Sequence, residues 1–198
     1  KGTKYISYQT AVSKASYNDS MIAIPLDSKL KDGQWHSVTM DLQADINSVA
    51  PGVTLDKISY AQFWFNGKLD NIKLLKSLNS AATTPTTPPP TPSPTTPPPT
   101  EPTPIPTTVS ELVLEDAEDG DTLGWKAFVA GSTLQNVYDN DKQSKVILLK
   151  SLGGFSLNNE NGSSINNTVH KSLSFDFNAT TNFSLILYIE TNKGNKSL

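Results

Sequence analysis

The chain has 198 residues, 16 Lys and no Arg, 19 acids, no cysteine and a formal net charge of −3. The missing cysteines exclude a disulfide framework and a thiolate metal site, and the lack of any Arg fork or basic stripe argues against nucleic acid as a partner. No apolar run approaches a membrane span; no signal peptide is apparent, and the first residue is Lys1, which reads as a fragment or a processed piece.

Taken in order, Lys1-Gly-Thr-Lys-Tyr-Ile-Ser-Tyr8 reads as the far side of a hairpin. Lys31-Asp-Gly33 marks a turn. Val38, Met40 and Leu42 then alternate with Ser37, Thr39 and Asp41, the period of a half-buried strand. Leu42, Ile46 and Val49 predict a helical turn or two around Asp41–Ser48, and Pro51-Gly52 marks the next turn. Ala61, Phe63 and Phe65 alternate with Tyr60, Gln62 and Trp64, predicting a second strand with an aromatic outer face.

Thr83 to Thr108 follows, 26 residues of which 12 are Pro and 11 are Thr. Such a stretch has too little apolar surface to pack a core and reads as a polyproline-type spacer, about 80 Å long if extended. Long Pro/Thr tracts suggest an extracellular or cell-surface setting, where stalks of this kind are often O-glycosylated.

Beyond the spacer, Val146-Ile-Leu-Leu149 is apolar on both faces, as a central sandwich strand is. Gly153-Gly154, Asn158-Asn159 and Asn161-Gly162 punctuate the chain. Leu173, Phe175 and Phe177 alternate with polar residues over Ser172–Asn178, and Leu185, Leu187 and Ile189 do so over Ser184–Glu190. Many short strands and little helix predict an all-β, antiparallel β-sandwich. The chain closes on a second half-hairpin, in which Lys193-Gly194-Asn195-Lys196 echoes Lys1-Gly2-Thr3-Lys4. Six N-x-S/T sequons, at Asn18, Asn161, Asn166, Asn178, Asn182 and Asn195, are what chance gives in an Asn/Ser-rich chain; their use would need a secretory route with glycosylation.

Glu115, Asp116, Glu118, Asp119 and Asp121 form an acidic cluster, and carboxylates beside carbonyls suit Ca²⁺, although the spacing is not that of an EF-hand and a solvated loop explains it too. Asp139 and Asp141 flank Asn140 in a second acidic loop, where a turn is the favoured reading and calcium a secondary one. Tyr60, Gln62 and Trp64 share a strand face of the sort that stacks on sugar rings, and Tyr5, Tyr8 and Tyr188 are candidates to extend it. His36 and His170 sit in no triad or metal spacing, and no nucleophile elbow, phosphate loop or zinc motif occurs, so no active site is expected.

Leu-Glu-Asp-Ala-Glu-Asp-Gly-Asp-Thr-Leu-Gly-Trp125 resembles the opening strand and first loop of carbohydrate-binding-module-like jelly rolls (galactose-binding or concanavalin-like) from bacterial or archaeal extracellular proteins. Trp35 in Asp32-Gly-Gln-Trp-His-Ser-Val38 and Phe65-Asn-Gly-Lys-Leu-Asp-Asn-Ile72 resemble the last strands of the same fold, and Tyr138–Ile147 resembles a stretch that accompanies such modules. The resemblance makes residues 1–78 the C-terminal half of a sandwich module, 79–108 a linker, and 109–198 the N-terminal half of a like module. It leaves two readings: a window across a tandem array of repeats, or one sandwich closed from its halves in circularly permuted order. It also implies a structural Ca²⁺ between first and last strands, held by Glu115 or Glu118 with Asp70.

The function expected is a non-catalytic extracellular carbohydrate-binding-like module. Tyr60, Gln62, Trp64 and Tyr188 would face a polysaccharide or cell-surface glycan, and Glu115, Glu118, Asp70 and Asp139 are the candidate calcium ligands. The alternatives are a purely structural adhesin repeat, with neighbouring repeats as its partners, and part of a polysaccharide-degrading enzyme.

Overall fold

The computed structural model describes residues 2–18, 20–76, 111–150, 154–158, 165 and 167–192. The Pro/Thr tract, the turn positions Gly153, Asn159 and Asn161-Gly162, the Lys193–Lys196 echo and the sequon residues Asn161, Asn166 and Asn195 lie outside them. Ahead of the tract come β1 (Gly2–Gln9), β2 (Ser16–Tyr17), β3 (Met21–Pro25), β4 (Trp35–Asp41), α1 (Leu42–Val49), β5 (Leu55–Trp64) and β6 (Gly67–Leu75). After it come β7 (Glu111–Glu115), β8 (Trp125–Ala127), β9 (Thr133–Asp139), β10 (Ser144–Lys150), β11 (Phe155–Leu157), β12 (Ser172–Ala179) and β13 (Ser184–Thr191).

These elements form an all-β sandwich. One sheet runs β2-β3-β1-β13-β5-β11-β8. The other runs β4-β12-β6-β10-β9, with β7 joining β6 beyond the end of β10. Every pairing is antiparallel except β1 with β3. Both sheets mix strands from the two sides of the tract, so residues 2–76 and 111–192 share one core.

The alternation read from the sequence sets which side chains meet. Phe63, Leu185 and Leu187 of the first sheet and Leu69, Phe175 and Phe177 of the second are buried between the layers. Phe63 meets Phe175 edge-on at 5.8 Å, and Phe183 stacks on Phe175 at 5.7 Å. Each such ring removed from water contributes roughly 1.5–3 kcal/mol. Helix α1 begins where the Asp41 carboxylate accepts the Ala44 N–H at 2.9 Å, a side-chain N-cap, and it buries Leu42 and Ile46 against the sandwich.

Candidate functional site

The outer face of the larger sheet is built by strand parity. Ile6 and Tyr8 of β1 point inward, so Tyr5, Ser7 and Gln9 point out. Register then carries each of these across the sheet. Tyr5 lies opposite Tyr188, which lies opposite Tyr60. The Tyr60 and Tyr188 rings stack at 4.1 Å, and Tyr5 meets Tyr188 edge-on at 4.9 Å. Burial, followed by a hydrogen bond with Tyr188, pushes the Tyr60 phenol up to about 12.

The next row out runs Ala23, Ser7, Ile186, Gln62, Ser156 and Lys126 across β3, β1, β13, β5, β11 and β8. Ala23, Ser7, Gln62 and Ser156 in it are buried. The third row holds Gln9, Ser184 and Trp64. Trp64 is 39% exposed, lies flat against Gly154 and stacks on Phe128, itself 43% exposed, at 6.0 Å and 19°. Gly154 has φ +83°, and a Cβ there would stand 2.7 Å from the Trp64 ring, so only glycine seats the indole in this way. A row in which four of six side chains are buried therefore lies between a tyrosine row and a Gln/Ser/Trp row. The flanking rows are about 13 Å apart along the strands, and the central row crosses about 24 Å of sheet.

All four residues expected to bind ligand lie on this face, Gln62 in the central row and Tyr60, Tyr188 and Trp64 in the rows beside it. Tyr5 joins them. Tyr8 does not: it shares the inward parity of Ile6, is 1% exposed, and its hydroxyl donates to Asp45 Oδ2 at 2.6 Å. Phe128 was not foreseen. It follows a three-residue strand, too short for periodicity to mark, and the only sequence signal is the apolar pair Phe128-Val129 after Trp125.

Of the four candidate calcium ligands, Asp70 and Asp139 share one setting, and Glu115 and Glu118 each have their own. Glu115 is buried and accepts the Trp125 indole N–H and the Ala117 amide, each at 2.7 Å. Burial raises its carboxyl, with those two bonds pulling the other way. Glu118 accepts the Ser144 hydroxyl. Asp70 and Asp139 lie in an ion-pair network on the smaller sheet, to which Glu115 of β7 also belongs. There Lys142 Nζ stands 3.1 Å from Asp70, pairs with Asp176, and sits 4.7 Å over the Trp35 ring. Asn71 Nδ2 bridges Asp70 and Asp176 at 3.2 and 3.0 Å. Lys68 pairs with Asp139, which also accepts the Lys142 amide at 2.8 Å and the Trp35 indole N–H at 3.4 Å. Burial works against the charge on Asp139, yet these donors hold its carboxyl below the ordinary value; at Asp70 burial wins and the carboxyl is raised. The Lys142 ammonium thus lies between the carboxylates of Asp70 and Asp176. Among the described residues, no three His, Cys, Asp or Glu side chains gather as a metal site.

His36 pairs with Asp32 at 2.8 Å and His170 with Asn167 at 2.8 Å, so each imidazole meets a structural partner. No helix among the described residues is long and apolar enough to cross a membrane. In comparisons with known proteins, no protein-family model, curated protein or solved structure matches the chain.

Proposed function

We propose that the chain is a non-catalytic, extracellular carbohydrate-binding-like module that receives a polysaccharide or cell-surface glycan across the outer face of its larger sheet. The observation that carries this reading is the Trp64–Phe128 stack, two large rings that are each partly exposed, with one seated by a glycine. Aromatic faces hold the C–H side of a sugar ring, while hydroxyl and amide groups beside them bond its polar edge. Ser184, Gln9 and the tyrosine hydroxyls supply such groups on the same face.

A polysaccharide retention assay or glycan array with wild type, Trp64→Ala and Phe128→Ala tests it. Retention by the wild type and a loss of roughly tenfold or more in each variant, about 1.4 kcal/mol, is the expected result. No retained glycan, or retention indifferent to both substitutions at unchanged melting temperature, overturns it.

A structural surface repeat is the second reading. It is favoured by the Tyr5–Tyr188–Tyr60 ladder, whose rings already satisfy one another across three strands.

A further inference from the structure

The strand pairings divide unevenly. Among the described residues, seven join the part before the Pro/Thr tract to the part after it: β1–β13, β4–β12, β5–β13, β5–β11, β6–β12, β6–β10 and β6–β7. Only four stay within one part: β1–β3 and β2–β3 in the first, β9–β10 and β8–β11 in the second. β13 lies between β1 and β5, and β12 between β4 and β6, so each of these central strands has both neighbours from the other part. Ion pairs cross the same divide, Lys57 to Glu190 at 3.2 Å, Lys142 to Asp70 at 3.1 Å, and Lys68 to Asp139.

We propose that residues 2–76 and 111–192 are complementary fragments, and that a second copy of this chain supplies either one when the fragment in cis is unavailable. Taken apart, β4, β5 and β6 on one side and β12 and β13 on the other expose unpaired backbone along apolar strands, the strongest template a protein presents for another chain. Register restricts what answers that template. A slip of one residue at β13 would turn Leu185, Leu187 and Ile189 out of the core, so only the matching fragment fits. Tethering gives the fragment in cis an effective concentration on the order of millimolar, and dilute chains close on themselves. Copies crowded together, or copies whose own partner fragment is damaged, pair in trans.

The aromatic face has the same dependence. Tyr5, Tyr60 and Trp64 come from the first fragment, and Tyr188, Ser156 and Phe128 from the second. Each pairing in trans therefore rebuilds one such face at the junction of two chains. The fragment inference stands on strand pairing alone and holds whether or not that face binds a glycan.

Two full-length variants test it. Phe63→Asp places a charge at a fully buried position of the first fragment, and Phe177→Asp does so in the second. Each alone is expected to lose its cooperative melting transition. Refolded together, they regain it in a one-to-one complex built from the intact fragment of each chain. A mixture as unfolded as its components overturns the proposal. Where one variant still folds alone, the deciding measurement is the wild-type chain carrying a protease site between Thr95 and Thr96, cut after folding. Fragments that travel together in gel filtration, part in denaturant and rejoin on its removal support complementarity. Fragments that part without denaturant overturn it.

Discussion

The Tyr8 hydroxyl and the Asp45 carboxylate, 2.6 Å apart, tie β1 to α1 at a point where the tyrosine is buried and the aspartate half-buried. Burial, and then the charge of Asp45, lift the Tyr8 phenol well above 10. Burial also raises the Asp45 carboxyl above 3.8, against the pull of the Tyr8 bond. A carboxyl raised in the folded state holds its proton more tightly there than in the unfolded chain. Its contribution to stability is therefore fully present below the unfolded value and is lost as pH rises through the folded one. Asp45→Asn keeps an acceptor for Tyr8 and carries no charge at any pH. The difference in melting temperature, variant minus wild type, is expected to rise from about pH 4 toward neutrality and then level off. A difference that stays flat over this range would show that the Asp45 proton is bound alike in both states.

At the scale of single elements, the strands most legible in the sequence were those with one wet face. Ser172–Asn178 and Ser184–Glu190 became β12 and β13 nearly residue for residue, because alternation of Phe or Leu with polar residues reports parity directly. Helix α1 was legible too, from Leu42, Ile46 and Val49, whereas its Asp41 cap emerged only in the structure. Tyr8 was not, because a tyrosine carries both an apolar body and a polar tip, and which face it takes depends on whether its hydroxyl finds Asp45. The settings of Glu115 and Asp70 were hidden for a similar reason: Trp125 lies ten residues from Glu115, but Lys142 reaches Asp70 only through the β6–β10 pairing. The turn between β5 and β6 shows what local sequence does fix. A Cβ on Gly67 would stand 2.0 Å from the Asn178 carbonyl oxygen and 2.7 Å from the Phe65 ring. Both neighbours belong to the sheet and its core, so neither yields without breaking the β6–β12 ladder. Gly67→Ala is expected to cost more than about 3 kcal/mol, read as a lower urea midpoint at unchanged slope. A loss below 1 kcal/mol or so would mean the turn relaxes.

For the molecule as a whole, the Pro/Thr tract changes meaning once the sheets are traced. By composition it separates two pieces, and the sequence alone leaves open whether each finds its partner in cis or in a neighbouring repeat. In the sandwich it leaves from β6 and returns at β7, and Leu75 and Glu111 stand directly opposite each other in register. The tract is thus the connection of a β-hairpin whose two ends are neighbours. The Leu75 carbonyl accepts the Lys171 N–H at 3.1 Å and so faces the β12 side; the following residue, Lys76, is the one whose backbone faces β7. Keeping Lys76 and Ser110 and replacing residues 77–109 by Asn-Gly therefore puts a two-residue turn of the favoured type at the right phase of the ladder. Shortening the connection from about 35 residues to about 4 removes some three doublings of loop length, a gain of about 2 kcal/mol in closure entropy. The shortened chain is expected to keep its fold, checked by an unchanged far-ultraviolet circular dichroism shape outside the tract's own contribution, and to melt roughly 4–8 °C higher. A stalk between two independent domains predicts the reverse, because an Asn-Gly joint would force separate bodies together and lower the transition.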